Sequence, residues 1–188
     1  MKKLFIVATV VIAAVMMSSC SASHKLANKE TEIEIPLSGP QYQSDANFWR
    51  TTQTGTSQDM AMSKKVALQN ARQDLAALIN SQIELVIENY GQNLAVENVK
   101  INESLYEELG RAVVSQNLMG AQVAGEKLFK LGDGSYRYHI CLQVSKQDMI
   151  AKLEEKLAEE QKIKVEFDRE RFRKVFDEEM KKLSTSNK

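Results

Sequence analysis

Few side chains in this sequence are of a kind that can do chemistry, and those few sit apart. His139 and Cys141 lie two residues apart in an alternating run, so they would share one face of a strand. A thiol beside an imidazole invites a metal-binding or a nucleophilic reading. Two ligands are too few for a closed zinc site, and the other histidine, His24, lies far upstream in a polar stretch. A nucleophilic cysteine also needs an orienting group and an oxyanion hole, for which no local signature exists. Gly132-Asp133-Gly134 falls between two alternating runs rather than between a strand and a helix, so it marks a hairpin turn and not a phosphate loop. Glu154, Glu155, Glu159 and Glu160 are neighbours on a charged helical stretch and are expected to be solvated. No acid–base pair stands out, and the residues predict no catalytic, cofactor or metal site.

A third reactive group has a clearer setting. Met1-Lys2-Lys3 precedes an almost wholly apolar run from Leu4 to Met17, and the small residues Ser18 and Ser19 lead to Cys20. A basic start, an apolar core and small residues at the cut predict a secretory signal over 1–19, too short to span a bilayer. Met17-Ser18-Ser19-Cys20 resembles a lipobox, in which the cysteine thiol takes a diacylglycerol and the amine freed by cleavage takes a further acyl chain. Cys20 is therefore the predicted lipidation site. Each buried CH₂ contributes roughly 0.8 kcal/mol, so several chains hold firmly where one alone is marginal. No acidic residue follows Cys20 directly, which resembles sorting to the outer membrane, with the protein facing the periplasm.

The 188 residues carry 25 Lys and Arg against 25 Asp and Glu. No basic excess announces nucleic acid, and the basic residues lack aromatic companions, so no nucleic-acid partner is expected. With Cys20 committed to lipid, Cys141 has no partner for an intramolecular disulfide. Stability must come from an apolar core.

The element that would organise that core runs from Asp59 to Tyr90. Ala67, Leu68, Ala71, Leu75, Leu78, Ile79, Ile83, Val86 and Tyr90 recur at three- and four-residue steps, as the buried stripe of a long helix requires. Ser57 or Asp59 can cap its first turn. Small residues (Ala61, Ala67, Ala71, Ala76, Ala77) fill the first half and would let a sheet approach closely. Upstream, 20–45 reads as a tether, with Glu30 to Ile35 an edge strand or an extended linker ended by Pro36. Asn47 to Gln53 reads as a short strand, with Trp49 a core or interface filler. After Gly91 a loop is expected, then a second helix with a capping-box spacing from Ser104 to Glu107, ending near Asn117.

Ala121 to Leu131 and Ser135 to Val144 flank Gly132-Asp133-Gly134, a strong hairpin signal. If Asp133 and Gly134 alone form a type I′ loop, Leu131 faces Tyr136, Phe129 faces Tyr138, Gly125 faces Leu142 and Val123 faces Val144. That pairing gathers the large apolar residues on one face, whereas a one-residue slip would set Phe129 against Arg137. His139 and Cys141 then lie on the other face, partly covered by the tail. The charged tail, 147–188, is expected to form two helical segments that meet near Ile163 to Phe167. Phe172, Val175, Phe176 and Met180 on the second segment need either the domain's own core or another protein to cover them.

Phe48-Trp49-Arg50, Gly55-Thr56-Ser57-Gln58-Asp59, Ala61, Ala67, Ala71-Arg72 and Leu75-Ala76 together resemble the start of the LPP20-type bacterial lipoprotein domain. That domain is similar to the N-terminal domain of a flagellar assembly protein. The resemblance covers roughly Phe48 to Val144 and implies a helix-on-sheet α+β fold without an assigned enzymatic activity. The predicted architecture is α+β: a long helix on an antiparallel sheet with a C-terminal hairpin over 46–146, then the helical tail. The expected function is that of a lipid-anchored, non-catalytic envelope protein that binds or scaffolds other envelope components. The alternative is a periplasmic binder whose small-molecule or peptide ligand sits between the sheet and the long helix.

Overall fold

Strand β1, Phe48–Ser57, turns alternate side chains toward the long helix that follows it within three residues, α1, Met60–Ala95. In a computed structural model, residues 32–97, 99–160, 163 and 167–186 are described. Trp49 is fully buried, and its indole N–H donates to Gln82 Oε1. Thr51 Oγ1 donates to Ala71 O at 3.1 Å, and the Gln53 amide reaches Asp74. At Gly55 strand and helix touch backbone to backbone: a Cβ there would lie 2.4 Å from both Ala67 N and Ser63 O. Ala67 and Ala71 are fully buried, as the small-residue stripe predicts, whereas Ala61 and Ala77 face water. Asp59 caps the helix, its Oδ1 accepting from Met62 N at 2.7 Å.

The fold is α+β: a three-stranded antiparallel sheet in the order β1-β3-β2 with α1 across it, where β2 is Gln122–Lys130 and β3 is Tyr136–Ser145. Three further α-helices, α2, Glu103–Leu118, α3, Lys146–Glu159, and α4, Arg169–Ser186, and a short 3-10 turn, Pro40–Tyr42, complete the elements among the described residues. From Ile35 onward the chain is one compact unit, Ile35–Lys188. β3 is central, and β1 pairs along it from Phe48↔Ser145 to Ser57↔Tyr136.

The hairpin is where expected, but its register is not. Lys130 pairs with Tyr136, Phe129 with Arg137, Leu128 with Tyr138 and Gly125 with Cys141. The cause is local. Leu131 N donates to Ser135 O at 2.8 Å and Gly134 N to Leu131 O at 3.0 Å, closing a three-residue loop in which Gly134 takes φ +83°. Asp133 Oδ1 locks that loop by accepting from Ser135 N at 2.9 Å and from its Oγ at 2.6 Å. An extra residue between Val123 and Gly125 then shifts the pairing again, so that Val123 meets Leu142. Val123, Leu128 and Phe129 are left 41–48% exposed. The core face of the sheet comes instead from Trp49, Tyr138, Ile140, Leu142 and Val144 on the other two strands.

α1 does not stop at Gly91. A Cβ on that residue would lie 2.9 Å from Glu103 Oε1 and 3.1 Å from Ile101 Cδ1, so the glycine serves a close approach and the helix continues to Ala95. α2 packs beside the second half of α1 through Tyr106, Leu109, Val113 and Val114; its cap is Asn102, accepting from Leu105 N at 3.3 Å, not Ser104. The tail forms two helices, as expected, and α4 packs on its own unit. Phe172, Val175, Phe176 and Met180 are all at most 7% exposed. Phe172 stacks edge-on to Tyr90 with 5.2 Å between centroids, and Phe176 edge-on to Trp49 at 6.3 Å.

Of the two readings of Glu30 to Ile35, the edge strand is not seen: Glu32 to Ile35 form no strand, with Ile33 80% and Ile35 69% exposed, as an extended linker would be. The chain from Leu37 to Asp45, by contrast, is packed on the outer face of the sheet. Leu37 is buried and its carbonyl accepts from Thr52 Oγ1; Tyr42 lies where a Cβ on Gly125 would come within 2.5 Å of its ring. Arg50 holds the segment down, donating to Gln43 O at 2.8 Å, to Asp45 Oδ2 at 2.6 Å and to Gln143 Oε1 at 2.9 Å. This segment, not the tail, covers the face that carries Cys141.

Candidate functional site

Cys20 and the leader lie outside the described residues. His139 and Cys141 do share the outer sheet face, but among the described residues their side chains bond other partners and not each other. Cys141 is fully buried, its S–H donating to Tyr42 O at 3.6 Å. Burial pushes its thiol upward, away from the thiolate that nucleophilic chemistry uses. His139 packs edge-on against Phe129, centroids 5.4 Å apart. Burial and then the nearby Arg137 and Lys127 cations push its pKa down, so it is a neutral ring in a mixed patch. Among the described residues no group of three His, Cys, Asp or Glu side chains converges.

Sequence reasoning did not find the second titratable group, in which Glu126 Oε2 accepts from Tyr138 OH at 2.5 Å and from Lys64 Nζ at 3.0 Å. The off-by-one register creates it, by placing Glu126 on the helix-facing side opposite Ile140. Hydrogen bonds from Tyr138 and then Lys64 hold Glu126 below its ordinary pKa. Burial first, and then the bond to Glu126, raise Tyr138. Both shifts move these groups away from neutrality, the reverse of what a general acid or base requires. The trio ties the first turns of α1 to the hairpin.

Glu154 also departs from expectation. It is 4% exposed and forms a bidentate pair with Arg173, at 2.7 and 2.6 Å, that joins α3 to α4.

The space the sequence suggested for a ligand, between sheet and long helix, is filled by Trp49, Ala67, Ala71 and Leu75, all fully buried. A cleft opens elsewhere, where the start of β1 and the first turn of α3 meet α4. It encloses about 630 Å³ and is lined by Asn47, Phe48, Lys146, Gln147 and Ile150 on one side, and by Phe176, Asp177 and Met180 on the other. Its floor is unusual. Lys146, the first residue of α3, is 6% exposed, its N–H donating to Asn47 O at 2.9 Å and its Nζ lying 5.6 Å from the Trp49 ring centroid. Burial pulls the Lys146 pKa down, only partly opposed by the Asp45 carboxylate. A signal for this site was present: a lysine directly after the cap Ser145 breaks the preference for acids in a helix's first turn. Compared with models of known protein families, with curated proteins and with solved structures, the chain matches none.

Proposed function

We propose that the protein is a lipid-anchored, non-catalytic component of the cell envelope, held through Cys20 on the periplasmic side of the outer membrane, where it binds or scaffolds other envelope components. The observation that carries this reading is the leader of Lys2, Lys3, an apolar run and Ser18-Ser19-Cys20. The resemblance to LPP20-type lipoproteins points the same way. β2 offers a surface suited to a protein partner: among the described residues it pairs with β3 alone, and it exposes Val123, Leu128 and Phe129. The experiment is labelling with radioactive palmitate followed by membrane fractionation. The wild-type chain should label and sediment with the outer membrane, and Cys20→Ser should remain an unlabelled precursor. A labelled, correctly sorted Cys20→Ser protein would end the proposal.

A second reading, a periplasmic ligand-binding lipoprotein, is favoured by one observation, the cleft floored by Lys146.

A further inference from the structure

The cleft holds a cation whose counter-charge is missing. Among the described residues Lys146 makes no side-chain hydrogen bond or ion pair, although it is 6% exposed. Four other charged residues stand near it: Lys181, a further cation on the cleft wall, and Asp45, Arg173 and Asp177. Asp45 is taken by Arg50 and by the N–H groups of Asn47 and Phe48, at 2.6 to 2.8 Å. Arg173 is neutralised by Glu154. Asp177 is exposed on the far wall and makes no salt bridge to Lys146. Lys146 lines the cleft. Lys146 is also the first residue of α3, where the helix dipole is positive and, among the described residues, the Gln147 N–H has no backbone acceptor. Lys146 and the start of α3 thus line one cavity, and among the described residues no carboxylate there, Asp177 included, pairs with Lys146.

The geometry points to a carboxylate-binding cleft whose ligand is the free C-terminus of a peptide ending in a large apolar residue. The carboxylate would lie between Lys146 Nζ and the Gln147 N–H. The last side chain would rest against Ile150, Phe176 and Met180, and the Asn47 and Gln147 amides at the rim are placed for the peptide groups behind it. The cleft's volume, about 630 Å³, lies in the range of ordinary ligand sites. Its open, mixed lining suits a chain end better than a fatty acid, which would call for a long apolar tunnel. This inference rests on the ligand-binding reading and is independent of the lipid anchor. Lipid labelling and ligand titration are separate readouts, so failure of one leaves the other standing.

The test uses the full chain in lipid nanodiscs and its one tryptophan, Trp49, as reporter. An acetylated tetrapeptide ending in leucine is titrated as the free acid and as the C-terminal amide, with hexanoate as a third probe. The acid should give a saturable change in Trp49 emission, and the amide should bind about tenfold more weakly or worse. Lys146→Met should lose the same factor, Lys146→Arg should keep most of the binding, and Asp177→Asn, an exposed change, should strengthen it. Lys146→Met should also leave the melting temperature unchanged or raised, because it removes a buried charge without a counter-charge. A purely structural Lys146 would lower it. Absence of saturable binding up to about 5 mM, equal binding of acid and amide, or unchanged binding by Lys146→Met would overturn the inference. Hexanoate binding as tightly as the peptide would overturn the assignment to a peptide.

Discussion

Gly55→Ala is the sharpest test of how β1 and α1 meet. The new methyl carbon would stand 2.4 Å from Ala67 N and 2.4 Å from Ser63 O, against an ordinary contact near 3.5 Å, so helix and strand would have to separate by about 1 Å. Both obstructing atoms are backbone, and no side chain can turn aside. Separation would open gaps along Ala67, Ala71 and Leu75, all fully buried, and overpacking of this kind costs about 1–3 kcal/mol, here toward the upper end. Two other glycines isolate the cause. A Cβ at Gly132 meets nothing within 4 Å, so Gly132→Ala should stay within about 0.5 kcal/mol of wild type. Gly134 also faces open space but has φ +83°, so Gly134→Ala should cost about 1–2 kcal/mol through backbone strain alone. Urea unfolding followed by Trp49 emission and circular dichroism, with m unchanged, gives the three numbers. Equal effects at Gly55 and Gly132 would refute the close approach.

Removing α4 by truncation after Glu160 uncovers the partners of Phe172, Val175, Phe176 and Met180; at roughly 1.5–3 kcal/mol per large side chain the loss approaches the whole stability of a domain. The shortened chain should melt far lower and bind hydrophobic dye, and an unchanged melting temperature would mean that α4 does not belong to the core. The Glu126 trio gives a pH dependence. Its folded pKa is depressed, so its stabilisation is present above the unfolded value of about 4.3 and disappears as pH falls through the folded value. Wild type should therefore exceed Glu126→Gln in stability at neutral pH and match it in acid. A difference that persists in acid would contradict the sign.

The face of α1 was legible because burial along one stripe of a helix leaves a three- and four-residue rhythm, and Asp59 marks its start by a purely local hydrogen bond. The hairpin was legible as a location and not as a register. Whether Gly132 joins the loop depends on the bonds from Ser135 to Asp133, and the apolar pattern that argued for the other pairing counted Phe129 and Val123 as core when the third strand leaves them in water. Gly91 looked like a helix end because a glycine needed for close approach and one needed for a turn are the same letter. The covering segment could not be read at all. Leu37 to Asp45 has no periodicity, and it is held by Arg50 and by the room beside Gly125, which exist only once the sheet is built.

The placement of β3 between its two neighbours has a consequence for the order of folding. Its pairing with β2 closes a three-residue loop, whereas the bond from Arg50 to Gln143 joins residues 93 apart. Loop closure costs entropy before any contact rewards it, and non-local strand pairing is the slow part of a folding reaction. The β2–β3 hairpin and the α1–α2 pair can form from neighbouring sequence, while β1 must wait until Ser145 has been synthesised. A chain emerging from its amino end therefore carries β1 without its strand partner until β3 has emerged.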